Sequence, residues 1–313
     1  MGLKIVFMGT PGFARHMLES LVTSSHSVVG VVTVADKPAG RGQQLRESEV
    51  KQFAKEKQLT ILQPMSLKDP AFLTELRALN ADVFVVVAFR MLPEVVWKMP
   101  RLGTLNLHAS LLPNYRGAAP INWAIINGDK HSGLTTFFIN EEIDCGAIIK
   151  QCTIAIQPDW TAGILHDAML VPGAQLLIET LSSIEKNEVI PMPQPNSEAL
   201  NSAPKLTKLN TKIEFDRPGN EIVQHILGLS PYPSAYCLLI HQPTQKTQNL
   251  KILDAHFIEG KSSNTPFQSK EGIFFPCKDG LINITRLQLE GKRAMSYKEF
   301  IAGNDIVQYA LSK

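Results

Sequence analysis

Short apolar segments alternate with amphipathic segments over the first 190 residues, and this alternation constrains the fold most strongly. VFVVVAF, at residues 83–89, is apolar on both faces, as in a parallel strand that helices cover on both sides. KIVFMGT and SVVGVVTVA are also strand-like, whereas ARHMLESLV and EVKQFAKEK have helical spacing. The pattern predicts an α/β fold with a Rossmann-like, doubly wound and mostly parallel sheet, and ligands beyond the carboxyl ends of its strands.

The character of the sequence changes after residue 190. PMPQPNSEALNSAP, residues 191–204, is rich in Pro, Asn and Ser, which is typical of a linker. Beyond it, KIEFD, AYCLLI, LKILDAHFI, GIFFPC and LINITRLQLE are strand-like, and NEIVQHILGL is helical. We therefore expect an α/β domain over 1–190, a linker over 191–204 and a small, OB-fold-like β-barrel over 205–313.

Charge is distributed unevenly along the chain. The whole chain has 31 Lys and Arg against 29 Asp and Glu, whereas residues 204–313 have 14 against 10, a net charge of +4. A basic final third suits an anionic partner such as nucleic acid, and ordinary charge scatter explains it equally well.

Several classes of protein are disfavoured by composition. No apolar run approaches the ~18 residues of a membrane span, and the N-terminal segment does not resemble a signal peptide. The four cysteines show no CxxC spacing, which indicates reduced thiols and not a metal site. We expect a cytoplasmic protein with no membrane partner, and we expect it to be a monomer.

TLNLHASLLPNYRG, residues 104–117, places Asn106 and His108 two positions apart in an apolar strand. Alternate residues of a strand share a face, so these two side chains are expected to point the same way. Asparagine is disfavoured in strands, and polar residues that contradict local preference tend to mark functional sites. An amide and a protonated imidazole aimed at one point suit an oxyanion that develops from a carbonyl. A purely structural histidine is the alternative.

A carboxylate is expected from FFINEEIDCGAIIK, which contains Glu141, Glu142 and Asp144. The apolar surroundings of Asp144 predict that it is the least accessible of the three, and it is therefore the candidate for proton transfer with His108. The alternative is that Asp144 only caps a turn. No second histidine or carboxylate stands at ligand spacing, so no metal site is predicted. Ser110 is too far along the strand for a Ser–His hydrolase.

FMGTPGFA follows the first strand, where a dinucleotide-binding fingerprint is found in other α/β proteins. Its glycines, Gly9 and Gly12, do not match G-x-G-x-x-G, which favours a tight turn over nicotinamide binding. Asp36 ends the second strand and is the candidate ribose-binding acid in the less favoured reading.

Six segments, in order from about residue 4 to about residue 304, resemble one known family. They are FMGTPGFA, VADKPAGRGQQL, NLHASLLPNYRGAAPINWAIINGD, EIDCGAIIK, KLTKLNTKIEFDRPGNEIVQHILGLSPYPSAY and GKRAMSYKEFIAGN. The family is that of the methionyl-tRNA formyltransferases, which are folate-dependent formyltransferases.

The resemblance implies that the formyl group of 10-formyltetrahydrofolate is transferred, without a metal, to methionine on initiator methionyl-tRNA. It places Asn106, His108 and Asp144 on the catalytic trio of the family. It also implies a folate-contacting loop, made of Ser110, Leu111, Leu112 and Pro113. The domain at 205–313 is expected to bind tRNA.

ADKPAGRGQQLRESE is a long connection that is expected to have no secondary structure, and such loops are usually functional or disordered. Its positive charges lie on a glycine-rich backbone, where they suit the phosphates or the end of an acceptor stem. The resemblance implies that the tRNA is bound by Lys37, Gly40, Arg41, Gly42 and Arg46. A solvated loop whose charges only maintain solubility is the alternative.

The chain departs from the family pattern at two places. AFRMLP, from Ala88 to Pro93, is one residue shorter than the AYGLILP of many members, and Arg90 stands near the family's glycine. The resemblance implies that this stretch lies by the pterin pocket. Cys145 replaces the threonine that is common after the aspartate.

Two other functions compete with this reading. A formyltransferase for a sugar nucleotide or a purine-pathway amine shares the trio but gives no reason for the Arg41 loop. A non-catalytic RNA-binding protein explains the basic final third but not the trio.

Overall fold

The computed structural model describes residues 2–39, 44–195, 200–260, 263 and 265–311. The chain forms two compact units. The first unit comprises Met1–Gly117, Ser132–Ile154 and His166–Ser202, and the second comprises Ala118–His131, Ala155–Leu165 and Ala203–Lys313. The predicted domain limits at 190 and 204 stay a prediction.

The strands within the described residues are numbered in the order in which they follow along the chain. They are β1 (Lys4–Gly9), β2 (Ser27–Val32), β3 (Lys37–Ala39), β4 (Gln44–Arg46), β5 (Ile61–Leu62), β6 (Val83–Val87), β7 (Thr104–His108), β8 (Arg116–Gly117), β9 (His131–Phe138), β10 (Ile148–Ala155), β11 (Ser202–Ala203), β12 (Ala235–His241), β13 (Lys246–Glu259), β14 (Phe267–Ser269), β15 (Gly272–Cys277), β16 (Gly280–Leu289), β17 (Met295–Ser296) and β18 (Tyr309–Leu311).

The helices lie between these strands. They are α1 (Gly12–Val22), α2 (Glu49–Glu56), α3 (Pro70–Ala78), α4 (Glu94–Trp97), α5 (Pro120–Ile126), α6 (Ala162–Ala168), α7 (Leu170–Glu185), α8 (Gly219–Leu229) and α9 (Tyr297–Ile301), with a 3₁₀ turn at Ile306–Gln308.

Seven strands of the described chain form the sheet of the first unit, in the order β10-β9-β7-β6-β1-β2-β5. β1 pairs in parallel with β2 and β6, β2 with β5, and β6 with β7, whereas β9 runs antiparallel to β7. All five residues of β6 are buried, as an apolar strand covered on both faces requires. The predicted Rossmann-like, mostly parallel sheet is confirmed, and β7 lies inside it with His108 at its carboxyl end.

The second unit contains an antiparallel half-barrel. Within the described residues its strand order is β14-β15-β16-β13-β12-β18, and β17 pairs with β16. Helix α8 contributes Ile226 to a core that also contains Phe275 and Phe300, all three fully buried. The predicted β-rich fold is therefore confirmed.

The predicted strand at KIEFD is wrong. Lys212 makes only an isolated bridge to Tyr236. The following residues turn toward Pro218, which precedes α8 and cannot donate a hydrogen bond to a ladder.

The prediction of no secondary structure between Asp36 and Ser48 is wrong for the two arms of this connection. β3 and β4 pair antiparallel, with Lys37 opposite Arg46. The two short arms flank a glycine-rich centre, which is a hairpin pattern.

We expect Leu105→Ala to lower the free energy of unfolding by about 2–5 kcal/mol, because Leu105 is 0% exposed and its truncation leaves a cavity. Met65→Ala is the control in the same unit. Met65 is 82% exposed, so a change within about 0.5 kcal/mol is expected. Urea unfolding followed by far-ultraviolet circular dichroism checks both values, and equal midpoints for the two variants would contradict the assigned core.

Candidate active site

Strand β7 presents Asn106 and His108 on one face. Leu105 and Leu107 alternate with them and are buried on the other face, as predicted. Asn106 is half-buried, and none of the hydrogen bonds found in the described part of the chain involves its side chain. Its carboxamide is therefore available to a ligand at the carboxyl end of the sheet.

His108 is buried, and its two ring nitrogens have different surroundings. Nε2 lies 2.8 Å from the carbonyl oxygen of Tyr115. Because a carbonyl oxygen only accepts, Nε2 carries the hydrogen and donates it. Nδ1 lies 3.7 Å from Oδ2 of Asp144, which is beyond a hydrogen bond but within ion-pair distance. Nδ1 is thus the ring nitrogen left for a substrate, with the Asp144 carboxylate beside it.

Internal hydrogen bonds shape the loop that follows His108. The Ser110 hydroxyl donates to the carbonyl of Asn114 (2.7 Å), and the Asn114 N–H donates to the carbonyl of Leu111 (3.1 Å). Tyr115 has a φ of 61°, in the left-handed region. Its N–H donates to the carbonyl of Asn201. These bonds turn the chain so that the Tyr115 carbonyl faces the His108 ring.

Thr135, opposite His108 in β9, connects this loop to the sheet. Its hydroxyl donates to the carbonyl of Ser110 (2.7 Å) and accepts from the N–H of Leu112 (3.0 Å) and from Nε2 of Gln151 (2.9 Å). The Thr135 hydroxyl is therefore fully engaged, by the loop and by Gln151 of β10. Sequence reasoning missed it because its partners are far away along the chain.

Asp144 is the least exposed of the three candidate acids, as predicted; Glu141 and Glu142 are both exposed. Its Oδ2 accepts the N–H of Gly117 at 2.9 Å, and its φ is 53°. A Cβ at position 146 would overlap the carbonyl oxygen of Phe138, so only glycine fits there. The turn that carries Asp144 is thus packed closely against the end of β9.

Sequence reasoning also missed Gln194, which lies in the segment expected to be a linker. Its Nε2 donates to the carbonyls of Asp144 and Gly146. The only sequence signal is a polar residue between two prolines, and this signal does not identify a partner.

The predicted folate loop is only partly exposed. Ser110 and Leu112 are buried, whereas Leu111 and Pro113 are half-buried. The Ser110 hydroxyl is engaged by Asn114 within the loop. Contact of these four residues with folate stays a prediction.

The predicted tRNA loop has an anchored base. Lys51 of α2 forms ion pairs with Asp36, before the hairpin, and with Glu47, after it. Lys51 and Gln63 hold the pKa of Asp36 below its usual range. Asp36 is thus engaged by protein groups, which disfavours the ribose-binding alternative.

Some of the predicted tRNA-binding residues lie on the two paired strands of the hairpin. Arg46 is exposed on β4, and Lys37 lies opposite it on β3. Gly40, Arg41 and Gly42 lie outside the described residues. The structure therefore brings the predicted trio together, while the tRNA contacts stay predictions.

Both departures from the family pattern have structural consequences. Arg90 donates to the carbonyls of Pro64 and Met65, which ties the loop after β6 to the loop after β5. Cys145 is half-buried, and this burial raises the pKa of its thiol. Its Sγ donates to the carbonyl of Ile143.

Two family models match the chain. The formyl transferase model matches residues 3–181, and the formyl transferase C-terminal domain model matches residues 205–305. The chain belongs to the formyl transferase family. The resemblance seen in the sequence is confirmed, and this formyl transferase is an enzyme.

Curated relatives match this formyl transferase over nearly its full length. The methionyl-tRNA formyltransferase of Flavobacterium johnsoniae is 49% identical over 304 residues, which covers 96% of each chain. That of Bacteroides thetaiotaomicron is 44% identical over 309 residues, covering 96% of this chain and 95% of the relative.

Among solved structures, the N-formyltransferase of Helicobacter canadensis in complex with folinic acid and dTDP-3-aminofucose has a TM-score of 0.65. It is 22% identical and covers 90% of this chain and 98% of that chain, which supports the fold alone. Among the described helices of this formyl transferase, none has the length and hydropathy needed to cross a membrane.

We expect His108→Ala to lower the kcat of formyl transfer by ~10²–10⁴-fold, the usual range for a positioned acid–base group, with little change in affinity for the formyl donor. His131, which is exposed at the start of β9, provides the control His131→Ala. Steady-state kinetics of both variants check this expectation. Near-normal turnover of His108→Ala would remove His108 from the mechanism.

Proposed function

We propose that this formyl transferase transfers the formyl group of 10-formyltetrahydrofolate to the α-amino group of methionine on initiator methionyl-tRNA, as a cytoplasmic monomer. The observation that carries the proposal is the set of curated methionyl-tRNA formyltransferases that are 44–49% identical over at least 95% of both chains. The product is N-formylmethionyl-tRNA, which serves translation initiation. The solved N-formyltransferase in complex with dTDP-3-aminofucose is only 22% identical to this chain, so it does not favour the alternative amine acceptor.

Formyl transfer in this site begins with attack of the amine on the formyl carbon. The carbonyl oxygen becomes an oxyanion, and preorganised donors stabilise such a charge. The Asn106 carboxamide has N–H groups that no described residue engages, and the strand places it on the same face as His108. We assign to the oxyanion the N–H groups of the Asn106 amide and the N–H that Nδ1 carries when the His108 ring is protonated.

Proton movement involves the same ring nitrogen of His108, Nδ1. Nε2 of His108 already donates to Tyr115, so Nδ1 is the nitrogen that meets the reacting groups. The attacking amine loses a proton, and the departing N10 nitrogen of the folate gains one. Asp144, 3.7 Å from Nδ1, holds the ring and stabilises the proton during this relay.

The formyl donor is expected to lie along the loop after β7. Leu111 and Pro113 offer partly exposed apolar surfaces for it, whereas Ser110 and Leu112 act through the conformation of the loop. The trio fits a folate-type donor because the Asn106 amide and Nδ1 of His108 remain available to the formyl group. Carboxylate and imidazole here serve proton transfer, and we propose no metal.

The tRNA is expected to contact the hairpin and the second unit. Arg46 is exposed, and Lys51 forms ion pairs with Asp36 before the hairpin and with Glu47 after it. The second unit exposes many basic side chains, which suit phosphate contacts that do not depend on sequence. They include Lys205, Lys208, Lys246, Lys270, Lys278, Arg286, Lys292, Arg293 and Lys298.

One assay tests the proposed function directly. Purified protein is incubated with 10-formyltetrahydrofolate and either initiator methionyl-tRNA or elongator methionyl-tRNA, and N-formylmethionine is measured after the ester is hydrolysed. We expect product with the initiator tRNA and far less with the elongator. No product with initiator tRNA, but transfer to a sugar-nucleotide amine, would reject the proposal.

We expect Arg41→Lys and Arg41→Ala both to lower kcat/KM for initiator tRNA, mainly through the tRNA KM. Lysine keeps the charge but loses the planar fork that contacts a phosphate or base edge in two places. Discrimination against elongator methionyl-tRNA should shrink by roughly 1–3 kcal/mol. Kinetics of both variants on both tRNAs check this, with transfer to a small amine as the control that stays unchanged. An unaltered initiator-to-elongator ratio would reduce the loop to a solvated segment.

A further inference from the structure

The side-chain amide of Gln194 is fully hydrogen-bonded around Asp144. Its Nε2 donates to the carbonyl oxygens of Asp144 (2.9 Å) and Gly146 (2.8 Å). Its Oε1 accepts from Nε (3.0 Å) and Nη2 (2.7 Å) of Arg116. The orientation of the amide follows from chemistry, because carbonyls only accept and a guanidinium only donates. Both donors and both acceptor positions of the amide are therefore used.

Arg116 and Gly117 hold Asp144 from its other side. The N–H of Gly117 donates to Oδ2 of Asp144 at 2.9 Å. The carboxylate is thus bound directly by this segment, and the Asp144 backbone is bound to the same segment through Gln194. In the part of the chain that the structure describes, Arg116 forms no ion pair, so its bidentate contact is directed to the neutral amide of Gln194.

Asp144 needs this support because of its backbone. Its φ of 53° lies in the left-handed region, which costs a residue with a Cβ free energy, although Asp tolerates it better than most residues. The partner segment is itself fixed, since Met192 and Ile148 exchange two backbone hydrogen bonds (2.8 and 2.9 Å) just before Gln194. A fixed segment can hold a strained turn in place.

We propose that Arg116 and Gln194 are a positioning pair for formyl transfer. They hold the Asp144 turn so that its carboxylate stays 3.7 Å from Nδ1 of His108. The pair acts through Asp144 and has no role in binding either substrate. This inference rests on the function proposed above and on the role given there to Asp144.

Gln194→Glu is the most informative variant because it preserves the shape of the side chain. A carboxylate still accepts from Arg116, but it turns an oxygen toward two carbonyls that need donors. Misplacement of a reacting group by about 1 Å can cost about 100-fold, so we expect kcat to fall about 10- to 100-fold. The KM values for the formyl donor and the tRNA should stay within about twofold, because neither is bound by the pair.

Gln268→Glu is the matched control. Gln268 is also half-buried, and its amide bonds the N–H of Ile306 and the carbonyl of Asn304 within the second unit. We expect its kcat to remain within about twofold of the wild type. Arg116→Lys is the second variant, used if Gln194→Glu does not fold by circular dichroism; it loses the bidentate contact and should lower kcat in the same way.

A double-mutant cycle with Asp144→Asn separates positioning from a general structural role. If Gln194 acts through Asp144, Gln194→Glu should change kcat by less than about twofold in the Asp144→Asn background. The same fold loss in both backgrounds, or a kcat of Gln194→Glu within twofold of the wild type, would overturn the positioning pair alone. Absence of transfer to initiator methionyl-tRNA by the wild type in the same series would overturn the proposed function, and the pair with it.

Discussion

A buried imidazole needs hydrogen-bonding partners for its ring nitrogens. In this protein, a single backbone carbonyl is the partner of one of the two nitrogens. Nε2 of His108 donates to the carbonyl of Tyr115, seven residues further along the chain. The chain therefore has to reverse direction after β7 and present a carbonyl to the end of its own strand. This requirement fixes the tautomer of the ring and leaves Nδ1 facing Asp144.

The reversal depends on the neighbouring strand. Thr135 of β9 binds the carbonyl of Ser110 and the N–H of Leu112, so the loop is hydrogen-bonded to the sheet at its first turn. The next strand connection supplies Asp144, whose carboxylate accepts from Gly117 at the end of the loop. The loop after β7 thus contacts both His108, at the end of β7, and Asp144, between β9 and β10. The sheet holds this loop in place.

The local sequence pattern was sufficient to predict part of the candidate site. The alternation of β7 predicted that Asn106 and His108 share a face, and the polar pair in an apolar strand indicated the site. The apolar neighbours of Asp144 correctly indicated that it is less exposed than the nearby acids. The strand-like composition of KIEFD led to a wrong prediction of a strand, because a following proline and turn outweigh strand propensity over so short a segment.

Contacts between distant residues could not be predicted in the same way. Gln194 is 50 residues from Asp144 and 78 from Arg116, in a stretch whose composition indicates only a linker. The roles of Thr135 and of the Tyr115 carbonyl likewise depend on how the loop packs on the sheet. Hydrophobic periodicity specifies which face is buried, but it does not specify which polar partner a side chain meets.

The most direct test of this account is a comparison of Thr135→Val with Thr136→Val. Both threonines are fully buried in β9, but the Thr135 hydroxyl binds the loop after β7, whereas the Thr136 hydroxyl binds Thr180 of α7. Thr135→Val leaves three partners without their hydrogen bond and Thr136→Val leaves two, so a larger loss of stability is expected in Thr135→Val, and the kinetics are compared where both variants are folded. We expect kcat/KM for the formyl donor to fall at least about 10-fold in Thr135→Val and to stay within about twofold in Thr136→Val. Equal effects of the two variants on kcat/KM would contradict the claim that the loop, held by the sheet, builds the active site.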